Sequence, residues 1–167
     1  MSVVSTHQDV EALTFSIVSE LAAPPARVWQ VWADVRQLER WWGPPTWPAT
    51  FVTHDLTVGS RTHYFMTGPD GERAHGWWHI LSVEEPVAVE FEDGFADETG
   101  APDESMPTTR ARVELTAIPQ GTRMSLTTRF ADAQQMAQLV EMGMVEGITG
   151  AMSQIDALVT QDAHTPA

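Results

Sequence analysis

From Arg110 to Phe130 side chains alternate in character, and from Asp132 onward the apolar spacing changes to that of a helix. In the first stretch Ala111, Val113, Leu115 and Ala117 oppose Arg112, Glu114 and Thr116. Pro119-Gln120-Gly121 turns the chain into 122–130, where Met124, Leu126, Thr128 and Phe130 share a face. A sheet with one apolar and one polar face favours antiparallel pairing. Met136, Leu139, Val140, Gly143, Met144, Gly147, Ile148, Ala151, Met152, Ile155, Leu158 and Val159 then recur at helical spacing, predicting one helix over 132–160. A one-faced sheet and an amphipathic helix must bury those faces together. The expected class is therefore α+β.

Upstream segments fit the same plan. Residues 14–21 alternate, with Phe15, Ile17 and Leu21 on one face. Residues 50–55, 61–67, 73–84 and 87–92 read as further strands, rich in β-branched and aromatic types. Gly68-Pro69-Asp70-Gly71 supplies a turn, since proline presets φ and glycine accepts positive φ. Between the first of these strands and the next, Pro24-Pro25 suits a first helical turn, where a missing N–H costs nothing. Asp34 with Gln37 resembles a capping box for a second short helix. Helices are expected near 24–32 and 34–41. Of the seven tryptophans, Trp29, Trp32, Trp41 and Trp42 crowd this region, beside Gly43-Pro44-Pro45 and Trp47-Pro48. That much aromatic surface needs something large to pack against, or something to bind.

Composition narrows the function classes. A chain of 167 residues defaults to one domain. The absence of cysteine excludes disulfides and thiolate catalysis. A formal charge of −14 repels phosphate backbones, so nucleic acid is not an expected partner. No apolar run approaches a membrane span, and residues 1–13 do not read as a secretory signal, so a soluble, cytoplasmic protein is expected. Residues 1–12 read as a flexible N-terminal arm and 161–167 as a tail, flanking a single domain over 13–160. Residues 93–107, acidic and rich in glycine and proline, read as an irregular, exposed and mobile loop.

The ordered pieces Ala23-Pro24 with Val28-Trp29, Leu38 with Trp41-Trp42-Gly43-Pro44, and His54-Asp55 with Val58-Gly59 carry a resemblance. So do Met66 with Gly68-Pro69-Asp70-Gly71-Glu72, then Gly76, Gly121-Thr122-Arg123-Met124-Ser125-Leu126 and the glycine-containing last helix. Residues 13–160 resemble the START-like, or SRPBCC, superfamily, in the branch homologous to the activator of heat-shock protein 90 ATPase. Gly59-Ser60 departs from the two glycines frequent there. The resemblance implies a helix-grip (START-like/Bet v-like) fold. In it a curved antiparallel sheet wraps around a long C-terminal helix, with two short helices after the first strand and a cavity between sheet and helix. It leaves room for a chaperone partner or a homodimer.

An apolar concave face with few polar groups is the usual pattern of a ligand pocket. The expected wall comprises Phe15, Tyr64, Met66, Trp78, Val113, Leu115, Met124, Leu126, Met144, Gly147 and Ile148, with Trp41 and Trp42 at its mouth or anchoring the short helices. Gly143, Gly147 and Gly150 leave space either for a cavity or for a closely packed ring. Tyr64, the sole tyrosine, points inward by parity with Met66 and needs a polar partner such as Glu146, a water or a ligand. Trp78 is assigned inward and Trp77 to the convex face, as a partner-contact site.

No catalytic constellation is recognisable. Tyr64, His54 and Glu146 are the candidates for a cyclase- or hydrolase-like reading, and His54-Asp55 cannot form a dyad on a regular strand because neighbours point opposite ways. His75 and His79 share strand parity but lie about 13 Å apart, too far for one ion. No metal and no cofactor is expected. The expected function is binding of a small, mostly apolar molecule; the alternatives are co-chaperone-like stimulation of a heat-shock protein 90 ATPase and an enzyme using the same cavity.

Overall fold

The computed structural model describes residues 3–163. Within them the strands are β1 (Val3–Asp9), β2 (Thr14–Leu21), β3 (Ala49–Thr53), β4 (Arg61–Thr67), β5 (Arg73–Glu84), β6 (Ala88–Ala96), β7 (Thr108–Ile118) and β8 (Gly121–Arg129). The helices are α1 (Pro25–Ala33), α2 (Val35–Leu38), α3 (Ala133–Glu141), α4 (Met144–Met152) and α5 (Ile155–Ala163). All strands join one curved antiparallel sheet in the order β1-β2-β8-β7-β6-β5-β4-β3. This is the helix-grip arrangement. None of the described helices is long and apolar enough to cross a membrane.

Alternation defines the sheet's two faces. In β2 burial alternates residue by residue, with Phe15, Ile17 and Leu21 inward. β8 pairs β2 through Leu126 opposite Ile17 and Met124 opposite Ser19, so both strands deliver apolar side chains to one concave surface. The short helices start as their residues dictate: Pro25 occupies the first turn of α1, and the Asp34 carboxylate accepts from Arg36 N at 3.0 Å and from the Gln37 amide at 2.9 Å. α1 packs on β7, β8 and α5, and α5 packs on β2. These two helices cover one end of the concave face and seal the main core there.

Three expectations need correction. The N-terminal arm contains a strand: β1 pairs β2 along its length, from Val3 opposite Ser19 to Asp9 opposite Thr14. It is exposed on both faces at most positions, so backbone hydrogen bonds hold it and no apolar alternation announces it. The last helix is divided. Gly143 adopts φ of +90°, a left-handed conformation that favours glycine, between α3 and α4. A second break falls at Ser153-Gln154, where the Gln154 amide donates to the Gly43 carbonyl at 2.8 Å and ties the α4–α5 junction to the tryptophan loop. The expected tail falls partly in α5, which continues to Ala163; residues 164–167 lie outside the described residues.

The acidic segment is also more ordered than its composition suggests. β6 runs to Ala96, so Asp93 to Phe95 belong to the sheet. Beyond it, Asp97 Oδ1 accepts from Thr99 N at 2.8 Å and Ala101 N at 3.1 Å, and Asp103 N donates to the Phe95 carbonyl at 2.8 Å. An aspartate-centred turn returns the chain, because a short carboxylate satisfies nearby backbone N–H groups. The Thr99 hydroxyl, which donates to the same oxygen at 2.6 Å, and the backbone N–H groups around it hold the Asp97 carboxyl below its ordinary range. Shortening 97–100 to a tighter turn is expected to change stability by less than about 1 kcal/mol, as exposed changes usually do. Denaturant melts check this; a larger loss would make the turn part of the packed structure.

Candidate functional site

At the end of the concave face left uncovered by α1 and α5, α4 and the loop 41–48 enclose a cavity of about 310 Å³. Its floor comes from β4, β5 and β6 through Tyr64, Met66, Gly76, Asp93 and Phe95. Its roof is Met144, Gly147, Ile148, Ala151 and Met152 of α4, and Trp42, Pro44 and Trp47 form one side. Met144, Gly147 and Ile148 are only half-buried although they face inward, because they look into open space. A Cβ built on Gly147 would meet nothing within 4 Å. The glycine therefore leaves cavity room and does not seat a ring.

The two adjacent tryptophans divide their work. Trp41 is buried and its indole donates to the Val31 carbonyl at 2.8 Å, anchoring the loop to α1. Trp42 packs edge-on against Trp78 at 4.8 Å and Tyr64 at 6.0 Å, and forms wall.

One polar pair interrupts this apolar lining. The Tyr64 hydroxyl donates to Asp93 Oδ1 at 3.2 Å. Tyr64 lies opposite Gly76 across β4–β5, and a Cβ at Gly76 would collide with the phenol. The glycine thus lets the ring lie over β5 and reach β6. Burial raises the Tyr64 pKa well above its ordinary value, and the neighbouring Asp93 charge adds to this. The indole N–H groups of Trp42 and Trp78 favour the ionised phenol more weakly, and neither has hydrogen-bond geometry to a protein acceptor. Burial pushes Asp93 up to about 7, against weaker opposition from the bonds donated by Tyr64 and Gly94 N. The carboxyl is enclosed by protein yet faces the cavity, which is why the residue keeps some exposed surface.

Of the residues expected in the wall, Trp41, Trp42, Tyr64, Met66, Leu126, Met144, Gly147 and Ile148 do face the cavity. Phe15, Trp78, Val113, Leu115 and Met124 are not in its lining; they are buried in the core beside it. Two of them are covered by Trp32 of α1, which donates its indole N–H to Met124 Sδ at 3.3 Å and lies 6.3 Å from the Trp78 ring.

The other candidates are placed elsewhere. Glu146 is exposed and is not the partner of Tyr64. His54 Nε2 donates to the Trp32 carbonyl at 2.8 Å, which leaves Nδ1 to accept from the Thr62 hydroxyl at 3.1 Å. Burial lowers its pKa, so a neutral, structural histidine results. Trp77 does lie on the convex face, but it is 9% exposed: it packs over Gly94, where a Cβ would stand 2.7 Å from its Nε1, with Arg61 above its ring. It is a covered residue and not an open contact site. His63 Nε2 and His75 Nδ1 are 3.0 Å apart, one donating to the other, and His79 meets Glu92 at 3.2 Å. Burial and the charge of His75 lower the His63 pKa.

Asp93 is one of the wall residues outside the expected set, with Gly76, Phe95, Ala151 and Met152. Its signal was present: Val89, Phe91, Asp93 and Phe95 share parity, and Phe91 is inward. Assigning Asp93 to an acidic loop hid it.

The family model described as Activator of Hsp90 ATPase homolog 1-like protein matches residues 22–160. Among solved structures, one of a protein from Arthrobacter aurescens is 53% identical, with a TM-score of 0.91, covering 96% of this chain and 93% of that one. One from Mycobacterium smegmatis is 45% identical, with a TM-score of 0.88 and 99% of each chain covered. A protein from Nitrosomonas europaea shares the fold at 23% identity, with a TM-score of 0.78 over 95% of this chain and all of its own. No curated protein matches the chain.

Proposed function

The chain belongs to the Activator of Hsp90 ATPase homolog 1-like family, and we propose that it binds a small, mostly apolar molecule in the cavity beneath α4. One observation carries this reading: two glycines, Gly147 and Gly150, lie inside α4, and Gly147 faces open space. Each glycine inside a helix costs about 1 kcal/mol relative to alanine. A solid core would gain by filling that volume with a side chain; a binding protein gains by leaving it open. The cavity lies within the lower range of ligand pockets and is lined mainly by apolar groups.

Gly147→Leu tests the reading. The leucine side chain projects into the cavity, and its better helix propensity offsets about 1 kcal/mol of any strain. Stability is expected to hold within about 1 kcal/mol, while uptake of an apolar fluorescent probe falls about tenfold or more. A destabilised variant with unchanged probe uptake would mean that the probe binds elsewhere and that the glycine serves packing. Native mass spectrometry of the freshly purified protein gives an independent check through any retained molecule.

A second reading has a specific observation behind it. A carboxyl raised to about 7 beside a tyrosine is the kind of acid–base group a cyclase- or hydrolase-like enzyme uses. Binding is the stronger reading because the rest of the wall offers no hydroxyl, thiol or amine nucleophile free to act, and its His75 is paired with His63. Among the described lining residues there is no serine, cysteine or lysine, and the Thr109 hydroxyl is directed to the Asp93 carbonyl at 3.4 Å. Time-dependent conversion of a retained molecule by the natural chain, abolished in Asp93→Asn, would reverse that preference.

A further inference from the structure

Among the described residues no cation meets the Asp93 carboxyl in the cavity wall. Its protein partners are neutral donors, the Tyr64 hydroxyl at 3.2 Å and the Gly94 N–H. The chain has no lysine, and no arginine is among the described lining residues. The arginines on the neighbouring strands are engaged elsewhere: Arg61 over the Trp77 ring at 5.5 Å, Arg73 over Phe65 at 4.4 Å, and Arg110 and Arg112 at 3.6 and 3.3 Å from Glu90. Trp77, Phe65 and Glu90 all have the opposite strand parity from the inward residues Trp78, Tyr64 and Phe91, so these four cations belong to the convex side. Besides Asp93 and Tyr64, the titratable lining residue is His75, whose Nδ1 is paired with His63.

The surroundings of that carboxyl are aromatic. Trp42, Trp47 and Tyr64 present ring surface to the same space. Aromatic faces attract organic cations, and desolvation strengthens the attraction. A carboxylate enclosed in low-dielectric surroundings is costly until it is paired. One ligand feature answers both conditions: a positive nitrogen on an apolar body.

We propose that the cavity selects a small apolar molecule bearing one protonated amine, its ammonium on the Asp93 carboxylate between the Trp42 and Tyr64 rings and its hydrophobic part under α4. This rests on the ligand-binding reading above and adds the ligand's charge to it. A neutral molecule of the same shape would leave the carboxylate unpaired. A carboxylic acid would place a second negative charge beside it.

Three matched probes test the inference by calorimetry at pH 8: 2-(2-naphthyl)ethylamine, 2-(2-naphthyl)ethanol and 2-naphthylacetate. The amine is expected to bind about tenfold or more tightly than the alcohol, as a charge-assisted hydrogen bond allows, and the acid to bind weakest. In Asp93→Asn the amine should lose that advantage over the alcohol. Equal binding of amine and alcohol by the natural chain overturns the inference and leaves the cavity reading standing. An amine preference that survives Asp93→Asn overturns it as well, by locating the recognition elsewhere. Failure of all three probes to bind the natural chain overturns the cavity reading and this inference together. The comparison among probes on the natural chain stands without the variant.

Discussion

Trp32→Ala should lower the stability of this protein by about 3–5 kcal/mol, the range for deleting a large buried ring. Trp32 is fully buried and joins more elements than any local motif could. Its ring lies 4.7 Å from Trp41, 6.1 Å from Trp42, 6.3 Å from Trp78 and 6.3 Å from Phe91, in edge-on or tilted contacts. Its indole reaches Met124 and its carbonyl accepts from His54. The space left by alanine would be bounded by α1, the loop and three strands, so it could collapse only in part. Urea melts of the variant read the loss directly. A cost below about 1 kcal/mol would show that the surrounding rings repack, and that the aromatic cluster does not organise the core.

Asp93→Asn should have the opposite sign at alkaline pH. In the folded chain the carboxyl titrates at about 7, against an ordinary value of 3.8. Between those values the unfolded chain has released its proton and the folded chain has not. This group's contribution to stability is therefore fully present below about pH 4, declines as pH rises through 7, and is flat above. A shift of about three units corresponds to at most about 4 kcal/mol, and water reaching the carboxyl through the cavity reduces it to about 1–3 kcal/mol. Asparagine carries no such charge and can still accept from Tyr64. The variant should thus be the more stable protein at pH 8, by about 1–3 kcal/mol, with the advantage shrinking toward pH 4. Paired melts across that range measure it. A variant less stable than the natural chain by the same amount at pH 5 and pH 8 would mean that the carboxylate is ionised and compensated, and would remove the physical basis for both the acid–base and the amine readings.

The strand boundaries of β2, β4 and β5 were legible in the sequence because alternation is local: a residue's face depends only on its neighbours two positions away. The cap of α3 was legible for the same reason, since Asp132 accepts from Gln135 N only three residues on. So were the inward assignments of Tyr64 and Trp78. β1 was not, because an edge strand held by backbone bonds and exposed on both faces leaves no periodic trace.

What only the tertiary structure decided is which inward residues see a cavity and which see core. Met124 and Leu126 lie two residues apart on the same face of one strand, yet Trp32 covers the first and the second reaches the cavity wall. Tyr64 meets Asp93, 29 positions away, because two strand pairings bring β4 and β6 to either side of β5 and Gly76 leaves the passage between them. Periodicity states which way a side chain points; the identity of what stands opposite depends on contacts between distant segments, which the chain acquires only when the sheet closes over its helices.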